Sequence, residues 1–376
     1  MGFVDLHVHS CCSDGTMTPC ELVDYAIEKG LRAIALTDHD TVDGMDTIIE
    51  YAKDKPIEII PGIEYSTEYN GRDVHILGLF IDYKTPVFQE YLTRFQQSRT
   101  NRNYKLCANL QSAGIPITYE MLVDSFPNAV ITRAHYASYL LEKGYVKSRN
   151  EAFDRYLGDH TPYFVHREKI TPEEVIEVTL KAGGIPILAH PLLYHLGGEQ
   201  LDLLVHRLKD TGLMAMECIY STFSPSDERQ MRALAKKYHL LPCGGSDFHG
   251  DTKPGLDLGI GFGKLSVSEE ILTDLKKTLQ TKILFTDLDD TLLDKDKKIS
   301  DRTRQKILEL LSRGHHFVLA SGRSLNSILD VLQTLDIQNY NTKGKIYISA
   351  YNGAVLYDCT DGAVIEQYSV PMVTAQ

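Results

Sequence analysis

Seven strand-like apolar runs lie in the first two-thirds of the chain, and each meets a histidine or a carboxylate at its end. Asp5-Leu6-His7-Val8-His9 opens the series, and Thr37-Asp38-His39 follows the run 33–36. Glu64 closes 59–63, His75 stands beside Ile76-Leu77-Gly78-Leu79, and His190 ends 186–189. Glu217 ends 214–216, and Asp247 with His249 ends 240–246. A hydrophobic core does not need so many metal-competent groups at corresponding strand ends. A barrel open at one rim does, because ligands from several strands must converge there. Taken singly, each such residue reads as a hydrogen-bonded core group, and Glu217 is placed outside the ligand set on that ground. Taken together, they call for a centre holding more than one cation.

Strands are expected near 3–9, 33–38, 58–63, 74–81, 185–189, 215–219 and 240–244. Helix-period segments separate most of them, at 19–29, 43–53, 171–182 and 226–238. Thr171-Pro172 at one start and Gly183-Gly184 past the end are good boundary signals. Alternation of this kind implies a parallel α/β sheet, here closed into an irregular barrel. The connection from the fourth strand to the fifth, about a hundred residues, is far too long for a simple crossover. Helical periodicity at 86–110, 119–126, 132–141 and 150–157 makes it an inserted helical cap over the rim. The expected units are a barrel over 1–281, a cap over 84–168 within it, and a second domain over 282–376.

A formal charge of −12 argues against a duplex-binding surface, which needs a basic face. It leaves room for a phosphate held locally by cations and a few arginines. No run reaches the length of a membrane span, and the first residues enter a strand without an apolar signal region. Seven scattered cysteines without a CxxC pair read as reduced thiols in a cytoplasmic protein.

His7 and His9, one residue apart on a strand, face the same side. With Asp14, His39, Glu64, His75, His190, Asp247 and His249 they make nine candidate ligands, too many for one tetrahedral zinc. Nitrogen and oxygen donors without thiolate suit two or three divalent ions such as Mn²⁺, Fe²⁺ or Zn²⁺. Such ions lower the pKa of a bound water and can give hydroxide near neutral pH, which would attack a metal-held ester in line. His190 or His195 would protonate the leaving oxygen.

The motifs Asp5-Leu6-His7-Val8-His9-Ser10, Leu36-Thr37-Asp38-His39-Asp40, Pro61-Gly62-Ile63-Glu64, Ala189-His190-Pro191 and Gly245-Ser246-Asp247-Phe248-His249-Gly250 resemble the PHP (polymerase and histidinol phosphatase) superfamily. Within it, Ser98-Arg99-Thr100-Asn101-Arg102, Thr132-Arg133-Ala134-His135 and Ala152-Phe153-Asp154-Arg155-Tyr156-Leu157-Gly158 resemble the TrpH-type branch. The resemblance implies a distorted (β/α)7 TIM-like barrel with two or three metals. It assigns His7, His9, Glu64 and Asp247 to one ion, Glu64, His75 and His190 to a second, and Asp14, His39 and His249 to a third. The implied substrates are nucleoside 3′,5′-bisphosphates, losing the 3′-phosphate, and short single-stranded RNA trimmed from its 5′ end. Arg99, Arg102, Arg133 and His135 would then hold a second phosphate, although composition alone makes them a solvated helix face. The weighed alternatives are a phosphatase for a monoester such as histidinol phosphate, and a non-catalytic metal-binding regulatory module.

Further along, Phe285-Thr286-Asp287-Leu288-Asp289-Asp290-Thr291 and Val318-Leu319-Ala320-Ser321-Gly322-Arg323 resemble the first two motifs of Cof-type haloacid dehalogenase (HAD) phosphatases. The resemblance makes Asp287 the nucleophile, Asp289 the acid and Ser321 a phosphate contact. The late lysine and acidic pair of that family have no counterpart, so 282–376 reads as a partial Rossmann-like HAD fragment, inactive as a phosphatase.

Overall fold

The structure is a computed structural model and describes residues 2–165, 170–312, 314–333, 342 and 344–368. Two compact units divide the chain, Met1–Thr278 and Leu279–Gln376.

The first unit begins with β1 (Phe3–Val8), α1 (Pro19–Glu28), β2 (Leu31–Leu36), α2 (Met45–Ala52), β3 (Glu58–Tyr69) and β4 (Arg72–Leu79). The insert follows, with α3 (Pro86–Ser112), α4 (Tyr119–Ser125), α5 (Arg133–Glu142) and α6 (Arg149–Ala152), the last running into a π-turn at Phe153–Leu157. Then come α7 (Pro172–Lys181), β5 (Ile185–Leu188), α8 (Gly198–Thr211), β6 (Ala215–Tyr220), α9 (Pro225–Lys237), β7 (Leu241–Gly245) and α10 (Glu269–Leu279). Side-chain caps start many of these helices, including a full capping box of Thr18 with Glu21 and one of Ser224 with Asp227.

All seven strands form one sheet in chain order, and the sheet nearly closes into a barrel. Asp247 N–H donates to the His7 carbonyl at 2.9 Å, and His9 N–H to the Phe248 carbonyl at 2.9 Å. Only glycine permits this approach at position 245, where a Cβ would lie 2.4 Å from that of His7. Successive residues of β2 pack on opposite sides. Ile34 and Leu36 meet Leu22, Val23, Met45 and Ile48 under α1 and α2. Ala33 and Ala35 join Val4, Leu6, Leu77 and Ile187 in a second cluster. Each fully buried Leu or Ile contributes about 1.5–3 kcal/mol against an exposed one.

The expectation of a uniformly parallel sheet is corrected at one strand. β4 runs antiparallel to both β3 and β5, while the remaining pairs are parallel. Asn70 and Gly71, with φ of 51° and 77°, form the two-residue turn that reverses the chain. His75 therefore lies in the first half of its strand, not at its end. Strand reversal brings it to the rim that the parallel strands reach with their C-terminal ends. The insert has a core of its own, built on Leu106, Leu110, Ile117, Leu122, Tyr136 and Leu140.

The second unit comprises β8 (Ile283–Asp287), α11 (Asp301–Ser312), β9 (His316–Ala320), α12 (Leu325–Gln333), β10 (Ile346–Ala350), β11 (Val355–Asp358) and β12 (Ala363–Gln367). Its sheet has the order β12-β11-β10-β9-β8, parallel across the last three and antiparallel across the first three. Asp287 pairs with Ala320, so Asp287 and Ser321 stand at neighbouring strand ends. Asp289 is gripped by Arg323 (Nε to Oδ2, 2.8 Å) and by Lys297 at 3.1 Å. Among the described residues β8 is an edge strand, and its Ile283, Leu284 and Phe285 are exposed. No helix among the described residues is long and apolar enough to cross a membrane.

Candidate metal centre

The rim of the barrel gathers the titratable side chains into three overlapping groups. The inner group is His7, His9, Glu64 and Asp247, all buried. His7 Nε2 lies 3.1 Å from His9 Nε2, 3.2 Å from Glu64 Oε2 and 3.6 Å from Asp247 Oδ1. His9 Nε2 lies 3.1 Å from Glu64 Oε2 and 3.3 Å from Asp247 Oδ1. Four donors bonded tetrahedrally to one ion at about 2.1 Å stand about 3.4 Å apart. The observed spacings bracket that value, so these four residues fit a divalent cation.

The outer group is His9, Asp14, His39 and His249. Asp14 Oδ1 is 3.2 Å from His249 Nε2 and 3.9 Å from His9 Nδ1, while its Oδ2 is 3.9 Å from His39 Nε2. His9 thus addresses the inner group through one ring nitrogen and the outer group through the other. His9 Nδ1, Asp14 Oδ1 and His190 Nδ1 are buried and have no hydrogen-bond partner among the described residues. Orphaned polar atoms at this density are costly in an apolar interior, and a cation satisfies them. The third group is His39, Glu64 and His75. Glu64 Oε1 reaches His75 Nδ1 at 2.8 Å and His190 Nε2 at 2.9 Å, which ties His190 to the same carboxylate.

Charge follows from this packing. Burial raises the carboxyl pKa of Glu64, Asp14 and Asp247, yet the surrounding imidazoles, and Lys253 at Asp247, outweigh it and hold all three well below the usual range. For Glu64 the partners are His39, His7 and His75, and for Asp247 Lys253, His7 and His249. Burial lowers His9, but bonds to Asp247 and Glu64 raise it to about 9. His39 and His249 are held below the ordinary imidazole value, burial being the largest cause.

Glu217 takes no place in the three groups. Its Oε1 meets His7 Nδ1 at 3.1 Å, and its Oε2 accepts the backbone N–H of His190 at 2.7 Å, so it orients the His7 imidazole from behind and fixes the main chain at His190. Sequence reasoning did not find Tyr220 and Lys253. Tyr220 donates to Asp247 Oδ2 at 2.6 Å, and Lys253 Nζ lies 2.5 Å from the same oxygen. No motif flags either. Their role appears only when β6 and the segment after β7 come together.

An open cavity of about 140 Å³ joins the rim to the insert. Asp14, His39 and His75 line one side, and Arg99, Arg102, Arg133 and Phe153 line the other. Arg99 and Arg102 are buried on α3, not spread on a solvated face. Arg99 Nε donates to Asp40 Oδ2 at 2.9 Å, and its Nη2 to Ser66 Oγ at 2.9 Å. Arg133 pairs with Asp73 and donates to the Leu157 carbonyl at 3.2 Å.

His135 lies deeper, against Phe126, with its Nδ1 accepting the Thr132 N–H at 3.0 Å in a capping box. It is not among the cavity-lining residues. His195 is exposed, left-handed at φ 51°, and outside the three groups.

Burial lowers His135 to about 4, with Asp14 opposing and Arg99 and Arg149 assisting. Because the folded value lies below the unfolded one, the unfolded chain takes up a proton first as the pH falls. Stability is therefore unaffected above about pH 6.5 and declines by about 3 kcal/mol towards pH 4. His135→Gln keeps a capping side chain and cannot titrate, so urea denaturation of this variant should show that much less acid sensitivity. Identical pH profiles for the two proteins would refute the assignment.

The PHP domain family matches residues 5–154, and the haloacid dehalogenase-like hydrolase family matches residues 284–375. A 5′-3′ exoribonuclease of Haemophilus influenzae is 40% identical over 246 residues, spanning 65% of this chain and 89% of that protein. A 3′,5′-nucleoside bisphosphate phosphatase of Chromobacterium violaceum is 31% identical over 260 residues, 69% of this chain and 91% of its own length. Among solved structures, an amidohydrolase from Chromobacterium violaceum, described with bound sulfate and no metal, superposes with a TM-score of 0.63. It is 31% identical and covers 69% of this chain and 90% of its own. With the histidine–carboxylate rim, these relationships show that the chain belongs to the PHP family of phosphoesterases, a hydrolase whose sequence continues after the barrel into a haloacid dehalogenase-like segment.

Proposed function

We propose that this protein hydrolyses phosphoesters of small nucleotides, releasing the 3′-phosphate of nucleoside 3′,5′-bisphosphates and the terminal nucleotide of short 5′-phosphorylated single-stranded RNA. The observation that carries the reading is the single cavity lined by Asp14, His39 and His75 on one side and Arg99, Arg102 and Arg133 on the other. One phosphate then sits at the rim and a second against the arginines. Two relatives, named as a 5′-3′ exoribonuclease and a 3′,5′-nucleoside bisphosphate phosphatase, support this reading.

His7, His9, Glu64 and Asp247 would hold one divalent ion, Glu64, His75 and His190 a second, and Asp14, His39 and His249 a third, with Mn²⁺ as the first choice. Bound ions supply the charge that polarises phosphoryl oxygens and lowers the pKa of a water. Glu217 and Tyr220 keep the ligands oriented. Of the two histidines proposed to protonate the leaving oxygen, His190 touches Glu64 and is the better placed. The barrel is read as 1–281 with its cap at 84–168. The fragment 282–376 is read as an incomplete domain without turnover of its own, and the exposed apolar edge of β8 supports that reading. The cytoplasm is the proposed location.

A screen with Mn²⁺ for phosphate release from nucleoside bisphosphates, mononucleotides and histidinol phosphate, and for mononucleotide release from short RNAs, tests the function. Preference for histidinol phosphate would overturn it. Arg133→Ala should raise the KM for a bisphosphate by about 10–100-fold, the worth of one lost charge-assisted pair, and leave an aryl phosphate nearly unaffected. Equal effects on both would remove the clamp.

A further inference from the structure

We infer that the helical insert is a working part of the outer ligand group: docking of the insert and filling of the site at His9, Asp14, His39 and His249 stabilise one another. The inner group is oriented by the barrel. This inference rests on the metal reading of the rim and not on the substrate.

Apart from His9, the outer ligands come from three loops, after β1, β2 and β7, and the insert ties each of them. At the first loop, Thr132 Oγ1 donates to Asp14 Oδ2 at 2.9 Å, and Val130 N–H donates to the Cys12 carbonyl at 2.9 Å. At the second, Arg99 grips Asp40, the residue after His39, and reaches Ser66 beside it. At the third, Arg149 Nη1 donates to the Thr252 carbonyl at 2.8 Å, and the Thr252 hydroxyl donates to the His249 carbonyl at 3.1 Å. Inner-group support has a different source: Glu217 and Tyr220 on β6, and Lys253 after β7.

Thr132 is saturated in this role. Its N–H donates to His135 Nδ1 at 3.0 Å, its hydroxyl donates to Asp14, and the same oxygen accepts the Ala134 N–H at 3.2 Å. Asp14 is thereby pinned through Oδ2, which leaves its buried Oδ1 turned to the imidazoles. Groups that orient a ligand change metal affinity by about 10–100-fold. Linkage makes the effect reciprocal, so an ion that needs the docked insert must stabilise its docking equally.

The test uses the full chain, stripped with EDTA and titrated with Mn²⁺ by calorimetry. Thr132→Val and Arg149→Met should each weaken the last ion to bind by about 10–100-fold and leave the tighter ions unchanged. Thr132→Ser should bind as the parent does. Thr118→Ala, which removes only the side-chain cap of α4, should leave all ions alone and controls for helix fraying. In the parent, filling the last site should slow amide exchange in α5. Parent-like binding by Thr132→Val, equal weakening of every ion, exchange in α5 indifferent to the last ion, or a parent that binds only two ions would each overturn the inference. None of these readouts uses turnover, so a failure to hydrolyse bisphosphates would sink the proposed function and leave this one standing.

Discussion

Glutamine in place of Glu64 should cut phosphate release by on the order of a thousandfold, equivalent to about 4 kcal/mol of transition-state stabilisation. One carboxylate here serves five imidazoles. Oε1 meets His75 and His190 at 2.8 and 2.9 Å, and Oε2 meets His9, His7 and His39 at 3.1, 3.2 and 3.3 Å. Glutamine keeps the volume but loses the charge, and its amide nitrogen points a donor at ring nitrogens that need acceptors or cations. Buried charges lose several kcal/mol when a partner is removed. Elemental analysis should find at least one ion missing per chain, with the circular dichroism spectrum unchanged. Full metal content together with parental turnover would show that Glu64 bridges nothing.

Removing the divalent ions should abolish turnover outright and lower the melting temperature, and Mn²⁺ should restore both. His9 Nδ1, Asp14 Oδ1 and His190 Nδ1 are buried at the rim without a hydrogen-bond partner among the described residues, and a bound cation satisfies them. Ions at a hundred times their Kd add about 2.7 kcal/mol to the folded state by mass action. Assays after EDTA treatment and after back-titration measure the first effect, and thermal denaturation in the same buffers measures the second. Activity that persists at full strength in EDTA would remove the metal centre from the chemistry. A regulatory module without turnover would show the thermal shift alone.

Much of this site was legible before any fold was known, for a simple reason. A metal ligand must be one of a few residue types, and a strand presents it with a period of two. His7-Val8-His9 announces itself on both counts, and Asp247-Phe248-His249 on residue type alone, since β7 ends at Gly245 and Asp247 is left-handed at φ 56°. Strand direction was less legible. Asn70-Gly71 is a strong hairpin signal, but it lies inside a run of alternating strands and helices that argues for parallel order. The antiparallel β4 follows from that turn. Arginine burial was hidden as well, since a pair spaced three apart on a helix looks the same whether it faces water or a carboxylate such as Asp40.

Residue chemistry along the chain thus specified the seven strands and the histidines and carboxylates that gather at the rim, because those depend on local periodicity and donor type. Contacts across long stretches of chain settled the rest. Thr132 on Asp14 spans 118 positions, Glu217 on His7 spans 210, and Tyr220 on Asp247 spans 27. Such pairs have no local signature, since each partner is an ordinary threonine, glutamate or tyrosine until the barrel closes and the insert docks beside it.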